Sequence, residues 1–454
     1  MLTRRDQIHA RQFLRKRLHT ALTAQKPDPL EWSGSRLPGV TLAAVMILVI
    51  CVAAVGVYGL INPLGAKSWT SCERIIIEKE TGAAYVCDGV RLYPTVNFTS
   101  AALLRGVHED PVRVARASLT WPRGAAVGIV DAPPVLPAAA DLLAGAWSFC
   151  AAADRDGPRS VLLPGTEVAG DALGDGAVVV TDGKAYHLIL SGQRHELRDP
   201  EVVRSALAVD STDVVPVDAA WLATLPAGAP LTKIAIDGRG GAVASLAGAK
   251  VGQLYVATDG TAAQRFVARP GGLQPISAVQ EALIRATAGD NTPSRPIDQL
   301  QLAGVKKMAA LDAPNLGDGS VPPMVPAARS GGVVCQIVSD ATDDRGIVVG
   351  AEVPDFGVAT VGDGVAVSGA LLADEVAVQP GRGVLVMALA SPQATAGPVY
   401  LVTETGRRYA VNSADALTLL GYAGAGVVRL PSTLVDRLPQ GPVLSKLELA
   451  IAAP

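Results

Sequence analysis

Aromatic residues make up only 4% of the 454-residue chain, cysteines number five, and charged residues stop at 18% with a net charge of −3. Each scarcity excludes something. So balanced a charge leaves no basic field for nucleic acid, while the 49% apolar content excludes a largely disordered chain. With few rings but 47 glycines and 32 prolines, the elements are expected to be short, turn-punctuated and packed with small aliphatic side chains, which argues against an all-helical protein. Motifs that carry chemistry are missing too. No Gly-rich loop ends in Gly-Lys-Ser/Thr: Gly183-Lys184-Ala185 sits in a hairpin turn, and Ala66-Lys67-Ser68 lacks the glycine frame. There is no Gly-x-Ser-x-Gly elbow. His187 and His195 lack metal spacing, and the acidic run Asp340 to Asp344 lacks the glycine and terminal glutamate of a calcium loop. No catalytic residue, metal or cofactor is expected.

Val40 to Leu60 reads VTLAAVMILVICVAAVGVYGL, uncharged and long enough for a hydrocarbon core of roughly 30 Å. It predicts a transmembrane helix over 40–61. A cleaved signal peptide is the rival, but its leader and apolar run would both exceed the usual lengths. Ahead of the span, Arg4, Arg5, Arg11, Arg15, Lys16, Arg17, Lys26 and Arg36 outweigh Asp6, Asp28 and Glu31, which places 1–39 in the cytoplasm and the remainder outside. Trp32 and Trp69, near the two ends, are expected at the membrane interface. Within the leader, Leu14, Leu18 and Leu22 form an apolar stripe with Phe13 and Ala21 beside them, while Arg11, Arg15 and Lys16 take other faces and Arg17 belongs to the same helix. Such a basic amphipathic helix is either a docking helix for a cytoplasmic partner or a segment held near anionic lipid.

Cys51 lies in the span. Cys72, Cys87, Cys150 and Cys335 lie in the part placed outside, an even number in an oxidising compartment, so two disulfides are expected from three possible connectivities. Cys72 and Cys87 flank a predicted hairpin as a natural local pair, which leaves Cys150 and Cys335 as a long-range staple.

Turn-centred strand pairs recur at Arg74 to Cys87, Ala177 to Leu190, Gln253 to Val267 and Pro398 to Val411. A short helical pattern comes after each, opened by Thr99-Ser100, Asp199-Pro200, Ser277 and Ser413. The phrase Leu-Pro-x-Gly closes two of these units, at Leu225 to Leu231 and Leu438 to Leu444, with a shorter copy at Pro122 to Val127. Pro-x-Gly-x-x-apolar is expected to make a tight turn into a buried strand, its glycine supplying conformational freedom. After the third hairpin only Lys306 to Pro314 (KKMAALDAP) stands there. The predicted fold is α+β and β-rich, one N-terminal transmembrane helix followed by four hairpin-plus-helix repeat modules around a disulfide-stapled central core. The modules are placed at 70–130, 177–232, 250–310 and 398–446, the core at 131–176 and 311–397, and a tail at 447–454.

These residues carry a family resemblance. Gln12-Phe13-Leu14, Lys16-Arg17 and Ala21-Leu22 in the leader, then Leu92-Tyr93-Pro94, Asn97, Ser100-Ala101 and Leu103, then Pro122-Arg123-Gly124 and the closing LPQGPVLS are similar to EccB proteins of actinobacterial type VII (ESX) secretion systems. Trp147, Cys150 and Cys335 sit where that family places its core disulfide. The Cys72 and Cys87 pair is a departure. The resemblance implies a structural, inner-membrane, single-pass subunit with its bulk in the periplasm, self-associating and assembling with the EccC motor ATPase, EccD, EccE and the mycosin protease. Such proteins are sometimes described as ATPases, so an ATP-hydrolysing component is one alternative and a cell-wall-binding module another.

Overall fold

The computed structural model describes residues 3–24, 37–61, 68–107, 110–153, 157–258, 263–341, 344–356, 359–360, 364–366 and 369–449. Two long helices come first, Arg4–Ala24 and Leu37–Ile61. Within the second, Gly39–Tyr58 has a mean hydropathy of 2.9 and no buried residue, which makes it long and apolar enough to cross a membrane. From Ser68 onward the described residues form a mixed, β-rich body of short strands in five sheets.

Four of these sheets share one strand order. In the first, Ile76–Glu78, Ala84–Cys87 and Leu92–Pro94 form an antiparallel meander; the helix Phe98–Arg105 crosses over, and Val112–Val114 returns parallel to the opening strand. A parallel return requires such a crossover. The second sheet repeats the path with Ala177–Thr181, Tyr186–Leu190, Gln193–Glu196, the helix Pro200–Ala206 and Val215–Pro216. The third uses Leu254–Thr258, Ala263–Arg269, Gly272–Ile276, the helix Ala278–Ala288 and Arg295–Pro296. In the fourth, Gly383–Leu389, Val399–Thr403 and Arg408–Val411 precede the helix Ala414–Leu419 and the strand Val428–Pro431.

Helix starts obey local chemistry. Ser277 makes a full capping box with Gln280, and the Ser413 hydroxyl accepts from Ala416 N. Pro200 opens the second helix as expected, but the Asp199 carboxylate accepts from Thr232 Oγ1 and Lys233 N instead of capping. In the first helix the cap is Asn97, not Thr99-Ser100: its Oδ1 accepts from Ser100 N at 2.8 Å.

Two further expectations are corrected. The fourth sheet begins at Gly383, inside the stretch assigned to the core, because GVLVMAL is a continuous buried run with no turn signal of its own. The hairpin turn at Gly406 therefore joins the second and third strands, whereas Gly82 and Gly183 join the first and second. Pro-x-Gly, for its part, is an extended segment that runs parallel along the outer edge of the third strand. Leu92, Arg194 and Arg408 bridge Arg123, Ala227 and Gln440, and each donates its N–H to the proline carbonyl at 2.9 Å. The glycines are there for close approach, since a Cβ on Gly124, Gly228 or Gly441 would stand 2.5, 2.3 or 2.3 Å from the ring of Tyr93, His195 or Tyr409. In the third sheet Lys306-Lys307-Met308 makes the same bridge, to Leu273, and the ring position is taken by Gln274, so no glycine is needed.

The fifth sheet has seven strands, in the order Ala359–Thr360, Glu375–Val376, Pro158–Leu163, Trp147–Ala153, Val334–Val338, Asp344–Val349 and Asp171–Ala172. All come from the two segments that carry Cys150 and Cys335, which lie opposite each other on adjacent strands. One face packs Trp147 and Phe149 against Val178 and Val180 of the second sheet and Val384 and Val386 of the fourth. The other face holds both cysteines with Val161, Leu163 and Ile337. The first sheet shares its core with the fourth through Leu103, Leu385, Leu401 and Leu420. The second shares one with the third through Val203, Leu207, Val279 and Leu283.

Candidate functional site

The leader is a 21-residue helix with one solvent-facing apolar stripe. Phe13, Leu14, Leu18 and Leu22 are 52, 63, 66 and 76% exposed, with Arg15, Lys16 and Arg17 exposed among them. The apolar stripe and the basic residues beside it are both solvent-exposed. Trp32 lies outside the described residues. Trp69 is a correction: it is 2% exposed, packed edge-on against Trp121 at 4.8 Å and set beside Cys87 and Leu92. Closeness to the span along the chain misled, because the short helical turn Ser68–Ser71 folds back onto the first sheet.

Both disulfides are present, Cys72 to Cys87 and Cys150 to Cys335, separated by 15 and 185 residues. Cys51 is free and exposed on the apolar helix. Among the described residues no cluster of His, Cys, Asp or Glu is arranged to hold a metal; part of the Asp340 to Asp344 run lies outside them.

Among the buried ionic groups that sequence reasoning missed, two are carboxylates. Glu78, 1% exposed, accepts from Arg116 Nε at 2.7 Å and Tyr85 Oη at 3.0 Å, with Arg123 Nη2 at 3.5 Å. The Arg116 hydrogen bond holds its carboxyl below the ordinary value, with Tyr85 adding to the effect. Glu281 accepts from Arg265, Arg285 and Ser294 at 2.8, 2.7 and 2.6 Å. Burial alone would raise this carboxyl, but those hydrogen bonds outweigh it and hold it low. The spacing of Glu281 and Arg285 at i, i+4 was a readable signal; the long-range partners were not. These carboxylates are ionised and fully engaged, which suits them to fixing the fold rather than to accepting a substrate proton. His187 is buried with no hydrogen-bond partner at Nδ1 among the described residues, and burial, helped by the charge of Arg194, pushes its imidazole down. Open clefts lie between paired sheets. One, of about 280 Å³, is lined by Arg265, Glu281 and Arg285; another, of about 370 Å³, by Phe98, Pro137 and Leu420.

The geometry defines a class, a β-rich body carried behind one apolar, membrane-length helix. The family described as "Type VII secretion system ESX-1, transport TM domain B" matches residues 1–453, and the chain belongs to it. Similar proteins include the ESX-2 secretion system ATPase EccB2 of Mycobacterium tuberculosis (strain ATCC 25618 / H37Rv), 31% identical over 302 residues, 63% of this chain and 59% of that protein. The match thus spans less than two thirds of that relative's length. The ESX-3 secretion system ATPase EccB3 of Mycolicibacterium smegmatis is 28% identical over 482 residues, 99% of this chain and 90% of the relative. Among solved structures, a chain of an intact ESX-5 inner membrane complex aligns with a TM-score of 0.62 at 24% identity, covering 100% of this chain and 96% of its own. A chain of an EccB3 dimer from the ESX-3 core complex aligns at 0.58 and 25%, covering 82% and 98%.

Proposed function

We propose that this chain is a structural, membrane-anchored subunit of a type VII secretion complex. Its leader lies in the cytoplasm, Gly39–Tyr58 crosses the inner membrane once, and the body from Ser68 stands in the periplasm. The observation that carries this is the division of the chain into an apolar-striped exposed helix, an apolar helix with no buried residue, and a packed body closed by two disulfides. Disulfides belong in an oxidising compartment, and a basic leader stays in the cytoplasm. The four sheets with one strand order serve as repeats of a single module, set around the stapled seven-stranded sheet. Partners are the EccC-type motor ATPase, EccD, EccE and the mycosin protease, together with further copies of this chain; the similar solved structures belong to an inner membrane complex and a dimer. Phe13, Leu14, Leu18 and Leu22, with Arg15, Lys16 and Arg17, form the cytoplasmic docking helix.

Relatives bear the name ATPase, which supports a second reading, an ATP-hydrolysing component. The sequence offers no phosphate-cradling loop for it, so the structural role is favoured. Two experiments decide. Detergent extraction should co-purify the EccC, EccD and EccE subunits, and deleting Leu2 to Ala24 should abolish that while the outer body stays folded; undiminished co-purification sinks the docking helix. Phosphate release by the purified body above an unfolded control would overturn the structural reading in favour of the enzyme.

A further inference from the structure

Only six residues, 62–67, join the end of the apolar helix at Ile61 to the turn beginning at Ser68. Even fully extended, that connection spans no more than about 25 Å. The turn itself is firmly attached to the first sheet. Trp69 is buried on the sheet face opposite the helix Phe98–Arg105, Trp121 packs edge-on against it, and Cys72 is bonded to Cys87 at the end of the second strand. Cys87 is paired with Leu92, so the disulfide and the loop Asp88 to Arg91 lie at the same end of the sheet.

That loop is closed by hydrogen bonds to Asp88 yet presents an apolar tip. Asp88 Oδ1 accepts from both Val90 N and Arg91 N at 2.8 Å, and Oδ2 accepts from Tyr93 Oη at 2.9 Å. Val90 nevertheless stands 67% exposed, with an exposed Arg91 next to it. A hydrogen-bonded loop that holds a valine in solvent beside a cation, with a half-buried indole nearby, has the amphipathic composition of a surface meeting lipid headgroups.

We infer that the disulfide end of the first sheet, led by Val90 and Arg91 with Trp121 beside them, rests on the outer surface of the membrane that Gly39–Tyr58 crosses. The occupant is a lipid surface, chosen because the connection holds the disulfide-bonded turn within about 25 Å of the point where the chain emerges and because Arg91 matches phosphate headgroups. The Cys72 to Cys87 bond is the clamp that orients it. This rests on the membrane-spanning assignment proposed above.

The test uses the full chain carrying Cys51→Ala, reconstituted in vesicles of phosphatidylethanolamine and phosphatidylglycerol. An environment-sensitive fluorophore is attached at Val90→Cys or, as a control, at the exposed Lys79→Cys at the opposite end of the sheet. Blue-shifted emission at position 90, quenched by headgroup-nitroxide lipid, with neither effect at 79, is the expected result. Equal, water-like emission at both positions overturns the inference, as does a blue shift at 90 that the lipid quencher leaves untouched, since protein would then cover the loop. Adding Cys72→Ser and Cys87→Ser should reduce the quenching; unchanged quenching removes the disulfide from the orienting role. Flotation of the vesicles separates the two proposals: a chain that floats with an unquenched Val90 fails here alone, and one that does not float fails the anchor.

Discussion

At Gly441 a whole side-chain choice is decided by a neighbouring ring. A methyl group there would approach Tyr409 Cε1 to 2.3 Å, and Gly228 over His195 and Gly124 over Tyr93 are similarly crowded, at 2.3 and 2.5 Å. Gly441→Ala should therefore lower the stability of the outer body by about 1–3 kcal/mol, the usual cost of overpacking, read as a drop in denaturation midpoint. Met308→Gly in the third sheet should not strengthen its edge, because Gln274 offers no ring to pack on. His187 makes a different forecast. Burial and the Arg194 charge lower its folded pKa below the ordinary 6.5, with Asp182 and Glu196 pulling weakly the other way. The unfolded chain thus takes up a proton first as pH falls. The stability that rests on neutral His187 is complete above 6.5 and is lost as pH drops from there towards the depressed folded value. His187→Gln should flatten that part of the stability profile, measured by denaturant titration across the mildly acidic range.

Among the elements, the pairing of Trp147–Ala153 with Val334–Val338 ties the two halves of the central sheet together. Cys150 to Cys335 closes a 185-residue separation across it. Replacing both cysteines with alanine should cost about 2–5 kcal/mol, the range for a native disulfide, seen as a lower midpoint without loss of strand signal. Non-reducing peptide mapping should recover that pair and Cys72 with Cys87. Local elements were readable from the sequence because their causes are local: turn glycines marked hairpins, and Ser277 and Ser413 marked helix starts. Gly383–Leu389 was not, since a strand buried on both faces carries no alternation to distinguish it from any other apolar run. Trp69 went wrong for the complementary reason: its ring is claimed by Trp121 and the first sheet, contacts that nothing beside it in the sequence announces. The glycine of Pro-x-Gly was read as conformational when its cause, an aromatic ring on the neighbouring strand, lies about 30 residues away in sequence.

Across the whole molecule, contacts run from the first sheet to the fourth, from the fourth through the central sheet to the second, and from the second to the third. That order was hidden in the sequence, because it depends on which apolar faces meet rather than on where each strand begins. Trimming Arg4–Ala24 should leave this body's unfolding transition unchanged, since the described helix keeps its apolar stripe away from the core; a shifted transition in the truncated chain would refute that independence. The partnership of the first and fourth sheets also sets a timetable. Phe98–Arg105 packs with Ala414–Leu419, and Leu447 N donates to Leu103 O, so the first sheet to emerge during synthesis waits for the last. More than 300 residues must be made before its apolar flank is covered. During export of the nascent chain that flank is a natural place for a chaperone to hold, and an interruption late in translation leaves it bare.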